Sequence, residues 1–413
     1  MPDSANRLII AGAGQAGYWV AATVRQLQPN REIVLVGEES SPPYERPPLS
    51  KGLLTGDVEP ESTWFKPPDY YSESRIDLRL GTRVEAIDRA ARTVTLSDGV
   101  CEPYGTLVLA TGLRPRPLPV PGSDHPGLLT LRTLADAEAI HSGIGPAKNI
   151  VAIGAGFIGL EVAAAAINMG CSVTVIEAQN NALARVMAPE VSAALVLRHE
   201  QAGVAFRFGE TVTHIGDDKG NATVHLGSGD AITADLVLVG IGGVPCDEIA
   251  RAAGIACDDG ILVAETGLTS DPRVYAVGDV CRQFSVALGR RIRLESWQNA
   301  QNQAISVGRR IAGDPETYGD LPWFWTDQYQ DNFQIIGVPE SWDGIVWRGE
   351  PGDGKFTAIY LKDGLVVGGN TLNNARDIRP LKQLILDRVP VPPEALADMS
   401  TSLINIQKQQ AAK

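Results

Sequence analysis

Two stretches of this chain repeat one pattern, and together they leave little choice of fold. Leu8-Ile9-Ile10-Ala11 runs into Gly12-Ala13-Gly14-Gln15-Ala16-Gly17. Ile150-Val151-Ala152-Ile153 runs into Gly154-Ala155-Gly156-Phe157-Ile158-Gly159. Each is an apolar strand followed by GxGxxG and a helical run, read as Tyr18 to Leu27 and Leu160 to Met169. Each then continues into a second apolar strand that closes on an acid, Glu38 in the first copy and Glu177 in the second. The first glycine allows a tight turn, the second lets backbone approach a pyrophosphate, and the third lets helix and strand pack closely. The helix start offers free N–H groups and a partial positive charge to phosphate. The acids follow their last glycines, Gly17 and Gly159, at 21 and 18 residues. That fits the spacing of about 20 expected of a carboxylate on a ribose hydroxyl. A lone GxGxxG is weak, since glycine turns are common; here strand, helix, second strand and acid agree twice. The competing reading, two glycine turns without a ligand, has to explain that agreement as coincidence. Two dinucleotide folds imply two nucleotides.

Further strands punctuate the chain. Thr106 to Leu109 ends in Ala110-Thr111-Gly112, and Asp235 to Val239 is its counterpart in the second half. Prolines at 115, 117, 119 and 121 read as an extended linker. Alternating stretches at Arg83 to Leu96 and Ala222 to Ile232 read as hairpins or meanders inserted into each nucleotide fold. From about Leu321 tryptophans cluster at 323, 325, 342 and 347 among short strand-like runs, which reads as an α+β domain. The expected fold class is α/β: two Rossmann-like dinucleotide-binding domains plus a C-terminal α+β domain. The expected boundaries are 1–115 with 245–322 for the first domain, 116–244 for the second and 323–413 for the third.

Length and charge agree. The 413 residues suit two or three domains. A formal net charge of −13 disfavours general binding to a phosphate backbone. Five cysteines without a CxxC argue against a disulfide framework, a zinc site or a redox dithiol. The five histidines show no clustered spacing that would hold a metal. No apolar signal core opens the chain, and the most apolar stretch, Ile150 to Ile167, carries three glycines and Glu161. The expectation is a cytoplasmic protein that binds neither membrane nor nucleic acid.

These landmarks, joined to Tyr44-Glu45-Arg46-Pro47-Pro48-Leu49-Ser50-Lys51, Leu131-Arg132-Thr133-Leu134, Ala276-Val277-Gly278-Asp279 and Leu321-Pro322-Trp323-Phe324-Trp325-Thr326-Asp327-Gln328, resemble a known family. It is the two-dinucleotide flavoprotein disulfide-reductase superfamily, and within it the NADH-dependent ferredoxin reductases of bacterial oxygenase systems. The motifs run in the family's order from residue 8 to about residue 380, and the RPPLSK and PWFWTDQ pieces are far more specific than the glycine loops.

The resemblance implies FAD on the first fold and NADH on the second. FAD would be held by Gly12, Gly14, Ala16 and Gly17 at the pyrophosphate, Glu38 on the adenosine ribose, and Val84 on adenine through its backbone. Arg46 and Lys51 would lie along the flavin side, with Ala110, Thr111, Arg132, Asp279, Trp297 and Trp325 completing the cofactor set. NADH would meet Gly154, Gly156, Phe157 and Ile158, with Glu177 on its ribose and Glu161 toward the nicotinamide. Lys51 and Glu161 are the expected catalytic pair, because an ammonium near flavin N5 stabilises anionic reduced flavin. Blander readings stand beside these: Lys51 as a solvated lysine, Asp279 as an N-cap, Trp323 or Trp325 as packing.

Glu177 would repel a 2′-phosphate, and no arginine adjoins it, so NADH is preferred over NADPH. The superfamily's disulfide reductases carry a cysteine pair soon after the FAD loop, and Tyr44 to Lys51 contains none. Electrons would therefore leave the flavin directly. The implied partner is a 2Fe–2S ferredoxin feeding a P450 or Rieske-type oxygenase. A rubredoxin or monodehydroascorbate reductase, or an NADH-sensing flavoprotein of the apoptosis-inducing-factor type, would share the fold. Arginines 290, 291, 293, 309 and 310 form either a docking patch for an acidic ferredoxin or a solvated charge run.

Overall fold

The structure is a computed structural model that describes residues 6–315 and 318–411. It divides into two compact units. The first comprises Met1–Pro47, Glu59–Arg114 and Gly243–Asp320; the second comprises Pro48–Val58, Pro115–Gly242 and Leu321–Lys413.

The first unit is built on a five-stranded parallel sheet in the order Val274–Ala276, Thr106–Leu109, Arg7–Ala11, Glu32–Val36, Ile76–Arg79. Its central strand is apolar without alternation because both faces are covered. Leu8 and Ile10 point to the side packed by Val20, Ala21 and Val24 of the helix Gln15–Leu27. Ile9 and Ala11 point to the other side, against Val94 and Leu96 of a three-stranded meander. That meander (Val84–Asp88, Thr93–Leu96, Cys101–Pro103) sits where the alternating pattern placed one. The helix Trp297–Ile311 lies so close to Gln15–Leu27 that a Cβ on Gly308 would meet the Thr23 Cβ at 2.8 Å.

The second unit repeats the plan. Its parallel sheet runs Ala205–Phe208, Ser172–Glu177, Asn149–Ile153, Leu236–Val239, Leu128–Leu129. An antiparallel meander of Val212–Asp218, Asn221–Leu226 and Ala231–Ala234 accompanies it. The same unit holds an antiparallel sheet in the order Trp323–Gln328, Asp331–Ile336, Leu365–Leu372, Phe356–Lys362, Gly344–Arg348. Arg348, 5% exposed, donates to the carbonyls of Leu396, Asp398 and Thr401 and so ties the C-terminal segment to this sheet.

Some local expectations shift. Both glycine-loop helices begin three residues earlier than their apolar runs, at Gln15 and Phe157, because each helix starts directly after its second glycine. Trp323–Gln328 is a strand in addition to the strand-like runs that follow it. Among the described residues no helix is long and apolar enough to cross a membrane, and all five cysteines are free thiols.

Candidate functional site

The two glycine loops are built alike. Gly12 has φ +113°, and a Cβ there would lie 2.2 Å from the carbonyl oxygen of Ala110. Gly154 has φ +101°, and a Cβ would lie 2.5 Å from the carbonyl oxygen of Gly240, just beyond the matching strand. The third glycines, Gly17 and Gly159, have room for no Cβ, because the carbonyl oxygens of Gly12 and Gly154 would sit 1.9 and 2.0 Å away. The middle glycines differ. A Cβ on Gly14 would meet nothing nearer than the Arg46 guanidinium at 3.9 Å, and one on Gly156 nothing nearer than the Gly240 oxygen at 3.7 Å. Gly14 and Gly156 are also the N-caps of their helices, and no side chain caps either helix. Neither first turn carries an acid. Each loop thus offers open backbone at an uncapped helix start, the donor set that suits a pyrophosphate.

Around the first loop, Ala16 is buried and a Cβ on Gly278 would reach it at 3.0 Å, which brings the Gly278–Val280 turn and its Asp279 beside the helix start. The N-cap of that turn is Val277, so Asp279 is not a cap. Gln15 donates through Nε2 to the backbone oxygen of Trp297 at 2.8 Å. Arg46 is held by Glu39 at 2.7 Å and lies over the Tyr44 ring. Thr111 donates to the Cys246 carbonyl at 2.7 Å, and Val84 is buried at the start of the meander. Glu38 is exposed and pairs with Arg83 at 2.9 Å.

Lys51 and Arg132 belong to the second unit. Arg132 precedes a helix whose capping box is Thr133 with Asp136, and its N–H donates to Asp136. Glu177 is clamped by its own loop: Oε2 accepts from the Ala155 N–H and Oε1 from the Gln179 N–H, both at 2.8 Å. This aims the carboxylate at the mouth of the second loop.

The helix Phe157–Asn168 carries Phe157 and Glu161 one turn apart on one face. The strand Trp323–Gln328 presents Phe324, Thr326 and Gln328 on one face and Trp323, Trp325 and Asp327 on the other. The two patterns mesh. Phe157 stacks on Phe324 at 6.2 Å between centroids, and Thr326 donates to Glu161 Oε1 at 2.6 Å. On the opposite face Trp323 and Trp325 stack at 5.0 Å, and Trp325 donates to Asp327. Glu161, 6% exposed, is therefore buried as a carboxylate with three donors: Thr326 on Oε1, and Lys51 at 2.8 Å with Ser50 on Oε2. An ammonium and two hydroxyls offset the desolvation of this charge. Sequence reasoning paired Lys51 with Glu161; it missed Ser50 and Thr326. Both lie inside the quoted RPPLSK and PWFWTDQ motifs, and only the tertiary register brings them to Glu161.

The arginines considered for docking are largely engaged. Arg293 pairs with Asp259 and Glu295, and Arg309 with Asp314. Arg291 donates to the carbonyls of Val263 and Arg282.

Residues 6–304 match the family of pyridine nucleotide-disulphide oxidoreductases, and residues 323–406 match the reductase C-terminal family. The ferredoxin–NAD(+) reductase component of the anthranilate 1,2-dioxygenase system of Burkholderia cepacia is 40% identical, the alignment spanning 97% of this chain and 99% of that protein. The ferredoxin reductase for the CYP199A2 system from Rhodopseudomonas palustris superposes with a TM-score of 0.94 at 40% identity, covering 97% of this chain and 100% of that one. The covalent putidaredoxin reductase–putidaredoxin complex matches with a TM-score of 0.95 at 39% identity, covering 98% and 99%. A chain related over nearly its whole length to such proteins belongs to the pyridine nucleotide-disulphide oxidoreductase family, among the ferredoxin reductases of oxygenase systems.

Proposed function

We propose that this chain is an FAD-dependent NADH:ferredoxin reductase that supplies a 2Fe–2S ferredoxin and, through it, a P450 or Rieske-type oxygenase. The observation that carries this reading is the pair of open glycine cradles in one chain, with no cysteine between Tyr44 and Lys51 to divert electrons into a dithiol. When bound, FAD accepts hydride from NADH and releases electrons singly, which suits a one-electron iron–sulfur acceptor.

The chain's own groups bind, orient and exclude. We read 1–115 with 245–322 as the FAD domain, 116–244 as the NAD domain and 323–413 as the C-terminal domain. Gly12, Gly14, Ala16 and Gly17 would cradle the FAD pyrophosphate, since Gly14 leaves backbone open there. Arg46 faces the same opening and carries positive charge toward it. Glu38, Val84, Ala110, Thr111, Arg132, Asp279, Trp297 and Trp325 are the further FAD contacts we propose. Gly154, Gly156, Phe157 and Ile158 would hold the NADH pyrophosphate, and the clamped Glu177 its ribose hydroxyls. Lys51 and Glu161 are the proposed catalytic pair: the buried Glu161 carboxyl group fixes the Lys51 ammonium at 2.8 Å. A cytoplasmic location fits five free thiols.

The test is spectroscopic. The purified protein should be yellow with stoichiometric FAD, and NADH should bleach it under anaerobic conditions far faster than NADPH does. A protein that takes up no flavin, or whose flavin NADH leaves oxidised, would end this reading.

A further inference from the structure

Behind Glu161 runs a line of buried polar side chains that nucleotide binding does not use. Gln328 Nε2 donates to Thr326 Oγ1 at 2.9 Å. Gln328 Oε1 faces His199 Nε2 at 2.6 Å, and His199 Nδ1 faces the Tyr329 hydroxyl at 2.9 Å. His199 has no exposed surface, and Thr326 and Gln328 are buried. Volume-matched apolar residues would fill this space without polar atoms to satisfy.

The direction of each bond follows from its neighbour. Glu161 accepts, so Thr326 spends its proton on Oε1 and must itself receive one from the Gln328 amide nitrogen. The amide oxygen of Gln328 then faces His199, and two bare acceptors would repel at 2.6 Å, so His199 carries its proton on Nε2. Burial pushes the imidazole down to about 4, which leaves Nδ1 bare at neutral pH, so Tyr329 donates to it. Burial likewise holds the Tyr329 hydroxyl well above the ordinary tyrosine range, so it stays a donor. Every donor in the line points toward the Glu161 carboxylate, and aligned bonds polarise one another.

The backbone supplies a second, independent sign. Tyr329 sits at the tip of the hairpin joining Trp323–Gln328 to Asp331–Ile336 with φ +56°, a left-handed conformation that bulky residues avoid. Its ring packs edge-on to His199 at 5.1 Å between centroids. A glycine or asparagine would relieve the turn; a tyrosine there delivers a hydroxyl to Nδ1. Nearby, Arg198 is held by a bidentate pair with Asp331, which fixes the helix Pro189–Gln201 against the same hairpin.

We infer that Tyr329, His199, Gln328 and Thr326 form a one-directional donor relay that holds the Glu161 carboxylate in one orientation, and through it the Lys51 ammonium. These are positioning residues. The amide of Gln328 makes the line an orienting device rather than a proton wire. The inference rests on the proposed role of Glu161 for its kinetic consequences, but the relay itself can be read without them.

Two measurements test it on the flavin-loaded protein. The first is ¹⁵N NMR of histidine-labelled protein, with His199 assigned from the His199→Phe spectrum. The relay requires a single neutral tautomer protonated on Nε2 between about pH 6 and pH 8. A proton on Nδ1, or a tautomer mixture, overturns it. The second is steady-state NADH oxidation with ferricyanide. Thr326→Val and Gln328→Met should each lower kcat by about tenfold while KM for NADH moves less than about twofold, and Thr326→Ser should recover most of the loss. His199→Phe should lower kcat several-fold, and add no further loss in a Glu161→Gln background. Unchanged kcat in Thr326→Val and Gln328→Met, or an equal cost of His199→Phe in both backgrounds, overturns the relay. Failure of the parent protein to oxidise NADH would instead strike the proposed function, leaving the tautomer to decide the relay.

Discussion

Glu177 shows how much a single side chain's environment decides. Both its oxygens are engaged by backbone N–H groups of the second nucleotide fold, so the carboxylate cannot swing aside for a larger substituent. A 2′-phosphate arriving there meets a fixed negative charge. Replacing Glu177 by alanine and Ala178 by arginine should therefore shift the kcat/KM ratio toward NADPH by at least about tenfold; an unchanged ratio would remove Glu177 from coenzyme choice. His199 carries a consequence for stability. Its folded-state value, held near 4 by burial, lies below the ordinary value of 6.5, so the unfolded chain binds its proton first. The stabilisation is complete above about pH 6.5 and is lost as pH falls toward 4, a contribution of roughly 3 kcal/mol at most. Denaturant unfolding between pH 7 and about 4.5 should show this acid limb, and His199→Phe should flatten it. An identical slope in the variant would place the acid sensitivity elsewhere.

At the scale of elements, the glycine loops separate folding from binding. Gly17→Ala drives a Cβ to 1.9 Å from the Gly12 carbonyl oxygen and should cost both flavin and stability. Gly14→Val adds bulk where the nearest atom to its Cβ is 3.9 Å away, so it should leave the thermal midpoint within a few degrees while flavin uptake falls by more than about tenfold. Equal damage to stability from both would mean that Gly14 is needed for the turn rather than for a ligand. These loops were legible in the sequence because their signal is local: glycines, apolar strands and an acid at fixed spacing. The Trp323–Gln328 strand was harder to read, since its apolar–polar alternation is hidden among aromatics that pack on both faces. Glu161 and Lys51 could be paired through the resemblance, whereas Ser50, Thr326, Gln328 and His199 join them only through long-range register. Nothing local in the sequence marks a histidine on the helix Pro189–Gln201 as the neighbour of a glutamine far along the chain. The arginine run stayed open between two readings for the same reason. Its partners Asp259, Glu295 and Asp314 neutralise much of a charge that looks unopposed in sequence.

For the whole molecule, the strong duplication explains why one chain handles two nucleotides: the same loop geometry recurs in each unit, down to the carbonyl that blocks the first glycine. The net charge of −13 sets a separate requirement. An acidic ferredoxin would be repelled at long range, so productive docking has to rest on a local surface and on apolar contact. The most direct test mixes the NADH-reduced, bleached protein anaerobically with an oxidised 2Fe–2S ferredoxin and follows the cluster absorbance. Each flavin reduced by one NADH should bleach two clusters, with none bleached when NADH or the flavoprotein is omitted. Clusters that stay oxidised beside a fully reduced flavin, across ferredoxins of several oxygenase systems, would contradict the account.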